Sequence, residues 1–223
     1  MFPKPKIVDF DLRNKFQKKT CEEIKNIIDQ SYPEKSRNDV SVVDISGNDL
    51  GTNITIEDFN EVLGHIDKTF PKLNKFVSNE NNLYKWFKSK NIVANDSFSG
   101  FNLMPPVKSL DLSQNSLFFC GLPYETLLII LKSLPKELET LDLTQYPCHP
   151  TTNEDYKYTD KELINIVSIV EERCKSLKKM FFDEELEKSL GLDGTFKALK
   201  KFVIQLQQKK QEKQEIKKFG STI

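Results

Sequence analysis

Cysteine and histidine, the side chains that most often serve as strong nucleophiles or transition-metal ligands, number only four and two in this 223-residue chain and are scattered along it. Cys21, Cys120, Cys148 and Cys174 fall at spacings that fit neither a metal-binding pair nor a disulfide framework. Cys148-His149 is the one Cys/His adjacency, and His65 is the other histidine. A reactive thiol there would need a correctly placed base and a third group to orient it, and the flanking residues supply none. An inert surface pair is the expectation. Glycine-rich phosphate loops, C-x-x-C pairs and H-E-x-x-H are absent from the sequence. No catalytic residue, metal site or cofactor is therefore expected.

What recurs instead is a short alternating stretch that ends in asparagine. Val107-Lys-Ser-Leu110-Asp-Leu112-Ser-Gln-Asn115-Ser-Leu117 reads L-x-x-L-x-L-x-x-N-x-L with Val in the first slot. Leu110 and Leu112 alternate inward along a strand, while Ser109, Asp111 and Ser113 point out. Asn115 falls where the chain leaves the strand, and its amide can satisfy turn backbone that has no ladder partner. Val40 to Leu50 matches fully, with Asn48 in that slot. Leu73 to Leu83 matches more weakly, because Ser78 takes an inward position before Asn81. Leu138 to Tyr146 and Leu177 to Glu185 follow with Tyr and Glu in place of Asn. These slots stand 33, 34, 31 and 39 residues apart, which fits a strand plus a helix per unit. Asn48, Asn81 and Asn115 are thus expected to be structural turn residues.

The elements that would position an interface follow from this phasing. Thr20-Cys-Glu-Glu23 has capping-box form and opens a helix over about 20–31, read as a cap on the open end. Thr55-x-x-Asp58 and Thr159-x-x-Glu162 open two more. Phe59, Val62, Leu63 and Ile66 form one inner face; Leu163, Ile166, Val167 and Val170 form the other. Between them, Leu127, Ile130, Leu131 and Leu134 face inward from a helix started by Pro123. That segment also resembles the first helix of an F-box, but the next strand follows too closely for the rest of one. Residues 84–106 read as a short helix followed by irregular chain. A last helix over 195–218 closes the array through Phe196, Leu199, Val203 and Leu206. The reading is one domain: an N-terminal cap over 1–36, repeats over 37–190, and a C-terminal capping helix with a polar tail over 191–223.

The outward strand positions carry the binding candidates. The central lane is Asp44, Val77, Asp111, Asp142 and Phe181, flanked by Lys75, Lys108, Glu139, Lys178 and Lys179. Three aspartates in one lane suggest a locally acidic surface that steers a basic partner. The insertion 147–158 hangs beside them with Tyr156 and Tyr158, side chains suited to anchoring an interface. Basic and acidic residues balance at 33 each, so bulk charge does not argue for nucleic-acid binding. Residues 197–223 are locally basic, with eight Lys against two Glu. No stretch reaches membrane-spanning length, no apolar signal core opens the chain, and the cysteines read as reduced thiols in a cytosol-like compartment. Asn53-Ile-Thr55 and Asn95-Asp-Ser97 match the glycosylation sequon, and both are read as accidental. A monomer is expected.

Residues 38–186 resemble ribonuclease-inhibitor-like leucine-rich-repeat proteins. That resemblance implies an α/β solenoid of about five repeats, a short horseshoe arc with parallel strands on the concave face and helices on the convex face. Leu134-Pro-Lys-Glu-Leu-Glu-Thr-Leu-Asp-Leu143 and Val43-Asp-Ile-Ser-Gly-Asn-Asp-Leu-Gly51 look like the repeats of leucine-rich effectors of intracellular bacteria. It implies a virulence protein injected by a type IV secretion system into the host cytosol, where it binds a host protein without catalysis. A polar C-terminus would then serve as the translocation signal. Two other functions fit the same pattern: a substrate-recognition adaptor in a ubiquitin pathway, and an endogenous eukaryotic scaffold or inhibitor.

Overall fold

The computed structural model describes residues 8–88, 107–115, 124–144, 159–181, 197–205 and 208. Six strands form one open sheet in chain order: β1 (Val8–Asp11), β2 (Val40–Asp44), β3 (Lys75–Val77), β4 (Ser109–Asp111), β5 (Thr140–Asp142) and β6 (Lys179–Phe181). Every neighbouring pair is parallel. Helices lie between them: α1 (Cys21–Ser31), α2 (Leu50–Asn53), α3 (Ile56–Thr69), α4 (Tyr84–Lys88), α5 (Tyr124–Ser133) and α6 (Asp160–Arg173). Parallel strands need such crossovers, because a tight hairpin can only reverse the chain. The result is an α/β fold compatible with a solenoid-like arc.

Strand β1 is one more than the sequence pattern anticipates. It lies inside the segment read as a cap and pairs Phe10 with Val43. Helix α1 lies between β1 and β2 in the chain and packs beside α3. Its capping box is as expected: the Thr20 hydroxyl accepts from the Glu23 N–H, and the Glu23 carboxylate accepts from the Thr20 N–H. Thr55 with Asp58 and Thr159 with Glu162 repeat that arrangement on α3 and α6. Residues 197–205 are helical, and Leu199 and Val203 on them are buried.

One continuous core joins the inner strand residues Phe10, Val43, Phe76, Leu110, Leu141 and Met180 to the inner faces of α1, α3, α5 and α6. Phe59, Val62, Leu63 and Ile66 are fully buried on α3, and Leu127, Leu131 and Leu134 are fully buried along α5 and its end. Full burial of such side chains stabilises by about 1.5–3 kcal/mol each. Trp86 on α4 stacks at a tilt on Phe59, ring centroids 4.9 Å apart, and its indole N–H donates to the Ile54 carbonyl at 2.9 Å.

The asparagines link the units into a chain of hydrogen bonds. Asn115 Oδ1 accepts from the Asn81 N–H at 2.8 Å, Asn81 Oδ1 from the Asn48 N–H at 2.9 Å, and Asn48 Oδ1 from the Phe16 N–H at 2.6 Å. Their amide groups donate back to strand-end carbonyls. Asn115 Nδ2 reaches the carbonyls of Ser78, Leu112 and Ser113, and Asn48 Nδ2 those of Leu12, Ile45 and Ser46. Asn81 Nδ2 donates to the Ile45 carbonyl and to the Ser78 hydroxyl, each at 3.0 Å. The Ser at the inward slot of the weak repeat therefore has a partner. All three asparagines are fully buried.

Replacing Asn115 by Ala strands the Asn81 N–H and several carbonyls in the interior. At about 1–3 kcal/mol for an unmade buried hydrogen bond, we expect a loss of at least about 2 kcal/mol in urea unfolding. An unchanged unfolding midpoint would remove the structural role of this side chain.

Candidate functional site

The outward residues of the sheet fall into rows fixed by strand register. One row runs Asp9, Val42, Lys75, Ser109, Thr140, Lys179. The next outward row, two residues on, runs Asp11, Asp44, Val77, Asp111, Asp142, Phe181. Asp44, Val77, Asp111, Asp142 and Phe181, expected from the repeat pattern to share one lane, are all brought together by the register. Asp11 extends the lane and Arg13 lies just beyond it, and the repeat pattern points to neither. Val77 is a poor binding residue: it is only 7% exposed, packed between the strands that carry Asp44 and Asp111. Tyr156, Tyr158, Cys148, His149 and the basic tail beyond 208 lie outside the described residues.

Each aspartate of the lane holds the turn that follows its own strand. Asp11 Oδ1 accepts from the Arg13 N–H at 3.0 Å, Asp44 Oδ1 from the Ser46 N–H at 2.9 Å, Asp111 Oδ1 from the Ser113 N–H at 3.0 Å, and Asp142 Oδ1 from the Thr144 N–H at 2.9 Å. The hydroxyls of Ser46 and Ser113 donate to the same oxygens. These are local turns in which the side chain replaces a missing backbone partner. The recurring Asp-x-Ser/Thr in the sequence is the signal that could have revealed them.

Neighbours and burial further reduce the free negative charge. Arg13 pairs with Asp11 at 2.7 Å and approaches Asp44 at 3.7 Å. The hydrogen bonds from Arg13, side chain first, hold the exposed Asp11 carboxyl down to about 2. Burial pushes Asp142 the other way, above its ordinary value, and the adjacent Asp111 adds to this; Thr144 and Lys75 oppose it.

The lysines are arranged differently. Lys108 and Lys178 clamp Glu139 from either side, Lys108 at 3.4 Å, with Lys178 hydrogen-bonded to it. The hydrogen bond from Lys178 is the main reason that Glu139 titrates below its ordinary range. Lys75 and Lys179 are exposed and make no ion pair among the described residues. Ser109 and Thr140 sit between them in the row, half-buried.

Nucleophilic chemistry finds little support in the two described thiols. Cys21 is half-buried, near the Asp58 carbonyl and the Glu61 carboxylate, and desolvation raises its pKa. Cys174 donates to the Pro135 carbonyl at 3.3 Å, and burial pushes it up to about 11. A thiol so raised is largely protonated near neutral pH. His65 Nε2 lies 3.2 Å from Asp29 Oδ1, on the helical side of the fold. No group of three or more potential metal ligands occurs among the described residues, nor is any described helix long and apolar enough to cross a membrane. Comparison with protein-family models, with curated proteins and with solved structures returns no match.

Asp142 supplies a test of this electrostatic picture. A carboxyl whose folded pKa is raised binds its proton more tightly in the folded state, so its ionised form destabilises the fold at neutral pH. Asp142→Asn keeps the acceptor for the Thr144 N–H and removes the charge. We expect a higher urea midpoint for the variant at pH 7, with the gain vanishing as pH falls below the ordinary aspartate range. A variant less stable than wild type at pH 7 would show that the ionised carboxylate stabilises the turn.

Proposed function

We propose that this chain is a leucine-rich-repeat protein-binding module that acts without catalysis, through the outward face of its parallel sheet. The observation that carries the reading is the pair of outward rows across six parallel strands, whose exposed lysines are not all neutralised within the described residues. Parallel strands in chain order present one side chain per unit at a fixed spacing, which gives an extended surface of repeated contact points. The asparagine chain supports the repeat assignment, because it joins equivalent turns of successive units. On this reading the face is concave, the protein is a monomer, and its likeness to effector repeats supports a host cytosolic protein as partner.

Bulk placed on the sheet face should block such a partner, whereas bulk on a helix should not. Thr140→Trp enlarges the middle of the row, and Glu57→Trp places the same side chain on the exposed side of α3. In affinity capture from a eukaryotic lysate, we expect a protein retained by wild type and Glu57→Trp to be lost with Thr140→Trp. Loss with Glu57→Trp alone would assign recognition to the helices instead.

A further inference from the structure

The face that the sequence marks as acidic has its available charge in lysines, and we infer that it binds an acidic, extended protein segment laid across β3 to β6. This rests on the sheet-face reading above and specifies the partner's chemistry. Each lane aspartate already accepts a hydrogen bond from its own turn, and the Asp11 and Asp44 carboxylates also meet Arg13. Burial disfavours the ionised form of Asp142, so a basic partner would meet carboxylates that are occupied, paired or half-covered.

The lysines lie at the other border of the face. In a parallel sheet all strands start on the same side, and Lys75, Lys108, Lys178 and Lys179 are all at or just before strand starts. Among the described residues, Glu139 is the one carboxylate that forms an ion pair with any of these four, held between Lys108 and Lys178, while Lys75 also acts at longer range on Asp142 in the neighbouring row. Lys75 and Lys179 occupy the same row on β3 and β6, three strand spacings or about 14 Å apart. The half-buried hydroxyls of Ser109 and Thr140 fill the gap and can donate to a chain lying there. Carboxylates four residues apart on an extended segment are separated by about 13 Å, which matches Lys75 and Lys179, the two lysines of the row that make no ion pair among the described residues. Glu139 is then an internal competitor: it occupies two cations that an acidic partner would otherwise meet, and it repels that partner.

The test uses the full chain and a fluorescein-labelled ten-residue peptide of alternating glutamate and glycine, with the lysine–glycine peptide as its counterpart. Fluorescence anisotropy should show binding of the acidic peptide, weakened by added salt, and much weaker binding of the basic one. Lys75→Glu combined with Lys179→Glu should weaken acidic-peptide binding by about tenfold or more, and Glu139→Gln should tighten it by about threefold. Unchanged circular dichroism and urea midpoints establish that the variants are folded. Preferred binding of the basic peptide overturns the inference, as does failure of the acidic one to bind. It is also overturned if the double reversal leaves the affinity within about twofold. Tighter lysine-dependent binding of a single-stranded RNA or of phosphatidylserine vesicles than of the peptide rejects a protein segment as the ligand. If Thr140→Trp blocks the lysate partner and the double reversal does not, the sheet face stands and only the acidic partner is rejected. If neither variant affects that partner, both readings fail.

Discussion

Everything in this fold depends on satisfying backbone groups at the ends of very short strands. Strands β3 to β6 are three residues long, so most of each unit's backbone has no ladder partner within the strand itself. Beyond the strand the chain turns inside the protein, where an unpaired N–H or C=O costs about 1–3 kcal/mol. The buried asparagines meet that constraint because one amide offers both an acceptor and two donor hydrogens. Each bridges its own turn and the turn of the unit before it. Backbone bonds such as Ile45 N–H to the Val77 carbonyl and Leu112 N–H to the Asp142 carbonyl carry the pairing one residue past the strands. Local turn and long-range stacking are therefore held by the same side chains.

The turn takes the same left-handed geometry in four successive units. Asn14, Gly47, Glu80 and Gln114 all take positive φ, each two residues past the inward residue that closes its strand. Only Gly47 adopts this conformation without cost, and there a Cβ would also crowd the Asn14 side chain. Hydrogen bonds of Asn115 hold the backbone beside Glu80 and Gln114: its Oδ1 accepts from the N–H that follows Glu80, and its Nδ2 donates to the Leu112 and Ser113 carbonyls ahead of Gln114. At Glu80 and Gln114, which have no local preference for this geometry, the stacking contacts are what hold the backbone in it.

How far the sequence reveals the molecule depends on how local the governing interaction is. All three capping boxes were legible, since Thr20, Thr55 and Thr159 each need only a carboxylate three residues on. Inner helix faces were legible because burial imposes a period on apolar residues. Strand β1 was not, since Lys15 stands where the motif demands Asn. The structure explains the omission. Asn48 reaches back to the Phe16 N–H and the Leu12 carbonyl, so the first unit is capped by its neighbour and needs no Asn of its own. The role of the lane aspartates was hidden for a related reason. Outward position was readable, but which partner each carboxylate had already taken was decided by the turn that followed.

The segregation of charge on the outward face follows from the same economy of backbone. An aspartate near a strand's end can accept from the N–H two residues on, at the point where the chain leaves the ladder, so carboxylates gather along the border where strands finish. No comparable need exists where strands begin, because there backbone donors and acceptors already run between neighbours, as in Lys108 N–H to the Asn74 carbonyl and Lys178 N–H to the Glu139 carbonyl. Side chains on that border hold no such turn, and Lys75, Lys108, Lys178 and Lys179 stand there, long enough to keep their charge in water. A parallel sheet keeps the two borders apart, since all its strands point one way. An antiparallel sheet with the same residues would alternate their signs along each edge. The direction of the strands therefore converts a local turn chemistry into a surface with its turn-holding carboxylates along one border and its lysines along the other.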